Sequence, residues 1–237
     1  MPVVTTTLVD SDTHLVCMDD ASVNALTMDM IDELSDAIRK SQEGGALVLA
    51  GRPGCLSAGL DRMIMMSGDR AAMSTLLRRV TQLYDQMLQH PTPIVIACTG
   101  HALAAGALLL LVSDLRIGTN STCQIGFNEA RIGLPLGPLA VAAARARLAP
   151  DALLQATLLG VVYDSPGALS AGFLDEVVDE GEVISTALER ASMLAKLDRR
   201  SYSKTRELLF SPITGEVEAA LARRRSGTRL PESSTPI

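Results

Sequence analysis

The segment from Pro93 to Gly137 constrains the fold of this chain more than any other part of the sequence. It begins with the β-branched run Ile94–Cys98, which is typical of a strand buried in a sheet. The small residues Ala104–Gly106 follow, and the apolar run after them predicts a helix. Small residues let the backbone approach a ligand closely, and the start of a helix presents free N–H groups. This combination is suited to stabilising an oxyanion.

Glu129 is the candidate general base within this segment. It follows Ile125–Asn128 and precedes Ile132 and Leu134, so its sequence neighbours are mostly apolar. A carboxyl group in an apolar pocket has a raised pKa and can exchange its proton near neutral pH. Taken alone, a glutamate in such a loop is more often a solvated surface group, so other motifs have to decide between the two interpretations.

The hydrophobic pattern of the first 148 residues predicts an α/β fold. Strands alternate with helices, which favours a sheet built from right-handed β-α-β crossovers. Thr27 is expected to cap the first helix. The predicted strands are Val3–Val9, His14–Met18, Ala46–Ala50, Ile94–Cys98, Leu115–Ile117 and Cys123–Ile125, and the predicted helices are Met28–Lys40, Arg70–Gln89 and Ala105–Leu111.

From Leu139 onward the pattern changes to helices almost throughout. The predicted helices are Leu139–Leu148, Asp151–Leu159, Ser165–Ala171, Glu182–Lys196, Tyr202–Phe210 and Gly215–Arg225, with a short strand at Val177–Val178. We therefore divide the chain into an α/β core over residues 1–148, a helical region over 149–225 and a tail over 226–237. The composition of that tail is typical of a disordered end.

Composition and charge argue against several classes of function. A net charge of −6, with 3% aromatic residues and no tryptophan, disfavours nucleic acid as a partner. The four cysteines show neither paired nor metal-binding spacing, so no metal is expected. The longest apolar run, Ala102–Val112, is too short to cross a bilayer, and the N-terminus does not have the pattern of a secretory signal. We expect a cytoplasmic protein with reduced thiols and no membrane partner.

Six short motifs occur in an order that resembles the enoyl-CoA hydratase/isomerase, or crotonase, family. They are VNALTMDMIDEL, LVLAGRPGCLSAGLD, PIVIAC, GHALAAGALLLL, SDLRIGT and IGFNEARIGLPLG. The similarity extends from about Val3 to Leu209. The resemblance implies a crotonase-like spiral of β-β-α units followed by a C-terminal helical region. It also implies a homotrimer or hexamer assembled through that region, which would make residues 149–225 the oligomerisation region.

The resemblance further implies an acyl-CoA thioester as the substrate, with no separate cofactor. In this family two backbone N–H groups bind the thioester carbonyl, and the matching positions here are Leu60, after SAG, and Ala105, in AAG. These donors would stabilise an enolate. Glu129 would be the catalytic base. Because the donors belong to the backbone, an alanine can replace the family's usual glycine, although its methyl group narrows the site.

Leu108 is the main departure from the hydratase pattern. Hydratases of this family hold water with two glutamates, and the first of them matches Leu108, which cannot orient or deprotonate water. The segment around Glu129 is more similar to Δ3,Δ2-enoyl-CoA isomerases, which keep one glutamate in an N-E pair. Dienoyl-CoA isomerases add an aspartate at the position of Gly137, which argues against that activity.

Five residues are predicted to contact the substrate: Ala58, Asp61, Met63, Leu108 and Lys204. Asp61 could instead hold the geometry of its loop, and Met63, with Met65 and Met66, could instead pack in the core. Lys204 matches a position where related proteins often offer a lysine to the phosphates of CoA.

The sequence therefore favours a Δ3,Δ2-enoyl-CoA isomerase, in which Glu129 moves one proton from C2 to C4. Two alternatives stay open. One is an acyl-CoA-binding protein of the same fold without catalysis. The other is a hydratase-like enzyme that acts on another CoA thioester.

Overall fold

Nine strands occur in the computed structural model of the protein, which describes residues 2–10 and 12–225. Six of them form the main sheet in the order β1-β2-β3-β5-β7-β9, in which only the β1–β2 pair is antiparallel. The other three form the small sheet, β4-β6-β8, and all of its pairs are parallel. The strands are β1 (Val4–Leu8), β2 (Thr13–Met18), β3 (Ala46–Ala50), β4 (Gly54–Ser57), β5 (Ile94–Cys98), β6 (Gly100–Leu103), β7 (Leu115–Thr119), β8 (Ile125–Gly126) and β9 (Glu176–Val178).

The α-helices cover both faces of the main sheet. They are α1 (Met28–Lys40), α2 (Arg62–Met66), α3 (Arg70–Leu88), α4 (Ala105–Leu111), α5 (Pro138–Arg147), α6 (Leu153–Thr157), α7 (Ser165–Ala171), α8 (Val183–Leu194) and α9 (Arg199–Arg225). Every residue of β3 and β5 is buried, as expected for central parallel strands. Side chains on one face of these strands pack against α8, and those on the other face pack with α1, α3 and α4. This arrangement confirms the predicted α/β class.

The small sheet is the feature that sequence analysis did not predict as a unit. Its strands β4 and β6 lie in segments for which the sequence pattern predicts neither strand nor helix, and β8 begins where the predicted strand at 123–125 ends. Gly100 allows the close approach of β4 and β6, since a Cβ at that position would lie 2.0 Å from the carbonyl carbon of Gly54. Only Thr99 separates β5 from β6, so the chain passes directly from the main sheet into the small one.

Helix α9 corrects the prediction of two helices, at 202–210 and 215–225. It is continuous although Pro212 lies inside it. Proline has no N–H for the carbonyl four residues earlier, which here belongs to Leu208. The Ser211 hydroxyl donates to that carbonyl oxygen at 2.9 Å, and this bond replaces the missing one.

A buried ion pair fastens α9 to the rest of the molecule. The Arg206 Nε donates to Asp114 Oδ1 at 2.6 Å, and Arg206 Nη2 donates to the carbonyl of Met87 at 2.9 Å. The guanidinium also lies over the Phe210 ring, 4.8 Å from its centroid. The second Asp114 oxygen accepts from the N–H of Ile94 at 2.7 Å, so the same carboxylate contacts both α9 and the start of β5.

Most other predicted helices and strands are confirmed, with ends that differ by a few residues. Thr27 caps α1 as expected, because its hydroxyl accepts from the N–H of Met30 at 3.1 Å. All four cysteines are free thiols. Within the described part of the chain, no helix is both long and apolar enough to cross a membrane. The tail predicted over 226–237 lies outside the described residues.

Candidate active site

The strand ends of the small sheet bring three separate segments together. Its three strands are parallel, so their carboxyl ends lie at the same edge. Ala58–Leu60 follows β4, Ala104 and Ala105 follow β6, and Phe127–Glu129 follows β8. The predicted oxyanion donors and the predicted base therefore lie at one edge of this sheet, although the sequence separates them widely.

Gly59 makes the contact between the first two segments. Its φ of +99° is in the left-handed region that favours glycine. A Cβ at this position would lie 3.0 Å from the carbonyl oxygen of Leu103 and 3.4 Å from the nitrogen of Ala105. The loop that carries Leu60 therefore lies directly against the turn that carries Ala105.

The N–H of Leu60 points away from its neighbouring strand. The N–H of Leu26 donates to the carbonyl oxygen of Gly59 at 2.8 Å, and the carbonyl oxygen of Leu26 accepts from the N–H of Asp61 at 3.4 Å. These two hydrogen bonds form a parallel β-bridge between Leu26 and Leu60. In such a bridge the central residue directs its own N–H to the other side. Among the described residues this N–H has no protein acceptor, so it is available to a ligand.

The N–H of Ala105 is available for a different reason, because Ala105 is the first residue of α4 and has no acceptor within that helix. Ala104 before it has φ +51° and ψ −121°, a conformation that is rare for any residue other than glycine. Two bonds hold the strained turn. The Ala104 N–H donates to the Gly126 carbonyl at 3.0 Å, and the Ala104 carbonyl accepts from Leu108 at 3.2 Å.

Gly106 explains the small-residue signal in the sequence. A Cβ at this position would lie 2.2 Å from the carbonyl oxygen of Ser57. The first turn of α4 therefore packs against the end of β4 with no room for a side chain. This contact sets the position of the Ala105 N–H relative to the Leu60 loop.

Glu129 begins a short 3-10 helix that ends at Ile132. Its Oε2 is buried and has no hydrogen-bond partner among the described residues, and the same holds for Oδ1 of Asn128. Burial raises the pKa of Glu129 above its ordinary value, although nearby backbone hydrogen bonds oppose the shift. A half-buried carboxyl with one free oxygen is suited to accept and return a proton.

Tyr84, on α3, belongs to the site although sequence analysis did not identify it. Its hydroxyl donates to the carbonyl oxygen of Ala105 at 2.7 Å. Burial, and to a lesser extent the negative charge of Glu129, raises the pKa of this phenol, so it stays neutral. The sequence does place this tyrosine among the apolar positions of α3. Because a buried phenol hydroxyl usually has a hydrogen-bond partner, that placement indicates a partner but does not identify it.

The residues predicted to contact substrate occupy different environments. Ala58 is exposed beside the Leu60 loop, and Leu108 is buried within α4. Asp61 caps α2, where its Oδ1 accepts from the N–H groups of Met63 and Ile64 at 2.8 and 3.4 Å. Lys204 is exposed on α9 and pairs with Glu207 at 2.9 Å.

Of the three methionines of α2, Met65 packs against the main core as the alternative interpretation held, whereas Met63 and Met66 do not. Met63 and Met66 are 81% and 70% exposed, and α2 has no buried residue at all. A flexible, apolar surface therefore adjoins the Leu60 loop. Within residues 2–10 and 12–225, no three His, Cys, Asp or Glu side chains are grouped so that they could hold a metal ion.

The chain is similar to several known proteins. The family model described as enoyl-CoA hydratase/isomerase matches residues 12–227. The human protein "Enoyl-CoA delta isomerase 1, mitochondrial" is 30% identical over 171 residues, which are 70% of this chain but only 57% of the human protein. The chain thus spans less than two thirds of the length of this curated relative.

Two solved structures are similar over nearly their whole length. An enoyl-CoA hydratase from Mycobacterium ulcerans superimposes with a TM-score of 0.90 and 33% identity, covering 94% of this chain and 98% of that one. An enoyl-CoA isomerase from Mycobacterium tuberculosis superimposes with a TM-score of 0.89 and 32% identity, covering 95% and 98%. Both descriptions, hydratase and isomerase, therefore occur at the same level of similarity.

Proposed function

The chain belongs to the enoyl-CoA hydratase/isomerase family, and from this we propose that it is a Δ3,Δ2-enoyl-CoA isomerase. The observation that carries the proposal is the Glu129 carboxyl, half-buried and with a free Oε2, at the sheet edge that also presents the N–H groups of Leu60 and Ala105. The other carboxylate at this edge, Asp61, is engaged in capping α2. One base beside two N–H donors is what a 1,3-proton shift requires.

The reaction would proceed in two proton transfers. The Glu129 carboxylate removes a proton from C2 of a 3-enoyl thioester, and the electrons of that C–H bond pass into a dienolate. Its negative oxygen accepts hydrogen bonds from Leu60 and Ala105, a type of interaction worth about 3–4 kcal/mol of barrier per donor. The Glu129 carboxylic acid then protonates C4, and the double bond moves from C3–C4 to C2–C3 as the carbonyl re-forms.

Leu108 supports isomerisation over hydration. Its side chain is 5% exposed and belongs to the main apolar core, one turn after Ala105. An apolar group there offers no hydrogen bond to a water molecule, and exclusion of water protects a reactive dienolate. Hydration of a 2-enoyl thioester needs a positioned water, so we expect it to be much slower than isomerisation.

Binding without catalysis is the second candidate. It is favoured by the two alanines of the oxyanion turn, because the methyl groups of Ala104 and Ala105 occupy space that glycine would leave open near the N–H groups. In this case Glu129 would line an acyl-CoA site without exchanging a proton with the ligand.

Turnover of a 3-enoyl-CoA to the conjugated 2-enoyl-CoA, followed by ultraviolet absorbance, tests the proposal. The wild type is compared with Glu129→Gln, and Asp61→Asn serves as the control because asparagine also caps helices. Because Asp61 is itself a predicted substrate contact, Glu180→Gln, at an exposed carboxyl after β9, is the second control. We expect full conversion by the wild type and Glu180→Gln, and a loss of about 10³-fold in Glu129→Gln.

Three other results would point elsewhere. Equal conversion by Glu129→Gln and the wild type would refute the role of Glu129. Acyl-CoA binding in a titration without any conversion would indicate the non-catalytic protein. Faster hydration of 2-enoyl-CoA than isomerisation of 3-enoyl-CoA would indicate the hydratase-like enzyme.

We also propose that the protein assembles as a homotrimer or hexamer through residues 149–225. Leu154, Leu158 and Leu159, on and just after α6, are each more than 60% exposed, and such side chains favour contact with another subunit. Light scattering coupled to gel filtration measures the mass. A monomer at micromolar concentration would contradict this proposal.

A further inference from the structure

Tyr84 is the one side chain from outside the small sheet that reaches the proposed oxyanion turn with a hydrogen bond, within the part of the chain that the structure describes. It lies on the buried face of α3, which packs against α1, α2 and α9. Its side chain is 2% exposed, and its hydroxyl donates to the Ala105 carbonyl oxygen at 2.7 Å. A short hydrogen bond in a buried environment restricts both partners more than an exposed one does.

The hydrogen bond from Tyr84 holds the peptide between Ala105 and Gly106, which follows the peptide that carries the Ala105 N–H. The Ala105 N–H belongs to the peptide between Ala104 and Ala105, whose carbonyl accepts from Leu108 at 3.2 Å. The following peptide carries the Ala105 carbonyl, and Tyr84 holds it. Ala105 is therefore fixed on both sides of its Cα atom.

This restraint matters because the turn is strained. With φ +51° and ψ −121°, Ala104 lies in a region that is costly for alanine. Rotating the peptide between Ala104 and Ala105 changes ψ and would bring Ala104 to the less costly left-handed helical region while its φ stays positive. That rotation would turn the Ala105 N–H away from the edge that faces Glu129. A bond that fixes the next peptide opposes the rotation.

We infer that Tyr84 is a positioning residue of the oxyanion hole, which keeps the Ala105 N–H directed at the thioester carbonyl through its hydrogen bond to the Ala105 carbonyl. This inference rests on the proposed function, since it assumes that a thioester occupies the site. Burial raises the pKa of the phenol, so it stays a neutral donor and adds no negative charge beside Glu129.

Tyr84→Phe is the direct test, because phenylalanine keeps the ring and removes only the donor. Tyr202→Phe is the matched control. Tyr202 is a half-buried phenol on α9 that lies near Asp114 and Arg206, away from the strand ends that form the site. We expect kcat for 3-enoyl-CoA to fall about tenfold in Tyr84→Phe, less than for loss of a donor. KM should change less than twofold, and Tyr202→Phe should keep the wild-type kcat.

The infrared stretching frequency of a bound thioester carbonyl gives a readout that does not depend on turnover. A saturated acyl-CoA with a ¹³C-labelled carbonyl is the probe, because it binds without reacting. Hydrogen bonds from the oxyanion hole lower this frequency in the wild type. We expect a smaller lowering in Tyr84→Phe and the full lowering in Tyr202→Phe.

The outcomes separate the two claims. If wild-type protein lowers the frequency and Tyr84→Phe lowers it equally, with an unchanged kcat, the role of Tyr84 is refuted and the proposed function stands. If the wild type binds the labelled acyl-CoA without lowering the frequency, or does not bind it, the oxyanion hole itself is refuted, and the role of Tyr84 with it.

Discussion

The N–H of Ala104 donates to the carbonyl oxygen of Gly126 at 3.0 Å, so the turn with the proposed oxyanion donor is bonded to the strand that leads to Glu129. Two residues, Phe127 and Asn128, separate Gly126 from Glu129, the proposed base. Base and donor therefore share one short piece of paired backbone and move together. In the proposed reaction, this arrangement would keep C2 of a thioester near Glu129 whenever its carbonyl oxygen is near the N–H groups of Leu60 and Ala105.

The pH dependence of isomerisation should report the burial of Glu129. The base acts only when ionised, so kcat/KM falls as the pH drops through its pKa. Because burial raises that pKa, the midpoint of the acidic limb should lie above 4.5, the ordinary value. Initial rates across acidic buffers measure it, with circular dichroism to show that the protein stays folded. A midpoint at or below 4.5 would contradict the buried position of the carboxyl.

Glu129→Gln should stabilise the protein at neutral pH although it loses most of its turnover. A carboxyl whose pKa is raised in the folded state binds its proton more tightly in that state than in the unfolded state. The folded state therefore becomes less stable, relative to the unfolded state, as the pH rises from 4.5 through the raised pKa. Glutamine does not ionise and avoids this loss. Urea unfolding at pH 7 should give a larger free energy of unfolding for the variant than for the wild type, and this difference should disappear below pH 4.5. An equal difference at both pH values would mean that ionisation of Glu129 is not its cause.

Ala104→Gly should stabilise the protein by about 1 kcal/mol, because glycine adopts the positive φ without strain. The gain is partial, since glycine also has more freedom in the unfolded chain. Ala71→Gly is the control, at an exposed position of α3 with ordinary helical geometry, and should cost up to about 1 kcal/mol. Urea unfolding measures both variants. A loss of stability in Ala104→Gly comparable to that of the control would show that the turn is unstrained.

Arg206→Met should destabilise the protein by about 3–5 kcal/mol, because it leaves Asp114 charged and buried without its partner. The side chains of the pair are only 4% and 13% exposed. Adding Asp114→Asn should recover part of the loss in a double-mutant cycle. Lys204→Met breaks a pair that is about two-thirds exposed and should have little effect on unfolding. Equal effects of the two single variants would mean that burial does not set the strength of the Arg206 pair.

Lys204→Met tests the predicted contact with the phosphates of CoA. We expect a severalfold higher KM for a 3-enoyl-CoA and an unchanged KM for the corresponding pantetheine thioester, which lacks those phosphates. Lys196→Met, at another exposed lysine, is the control and should leave both values unchanged. The same rise in KM for both thioesters would exclude a specific contact with phosphate.

Sequence reasoning located the central elements well, because their signals are local. Apolar residues with clear edges define β5 and α4, and both have the predicted bounds. Pro93 marks the start of β5 and Thr99-Gly100 its end. The fold class and most of the helices follow from the same kind of local pattern.

The small sheet could not be predicted in this way. Its strands have two to four residues each, which is too short for a period of two to be visible, and the contact of Gly54 with Gly100 joins distant parts of the chain. Tyr84 was missed for a related reason. Its burial follows from the pattern of α3, but its partner, the carbonyl of Ala105, is identified only by tertiary structure.

The passage from β5 to β6 through Thr99 alone has a mechanical consequence. The site-bearing sheet has no hinge toward the main sheet, so it cannot open without pulling on a fully buried strand. Its geometry is therefore as rigid as the core of the molecule. In the proposed function, adjustment to acyl groups of different size falls to the exposed side chains of Met63 and Met66, while the packing of Ile64 and Met65 against the core holds α2 in place.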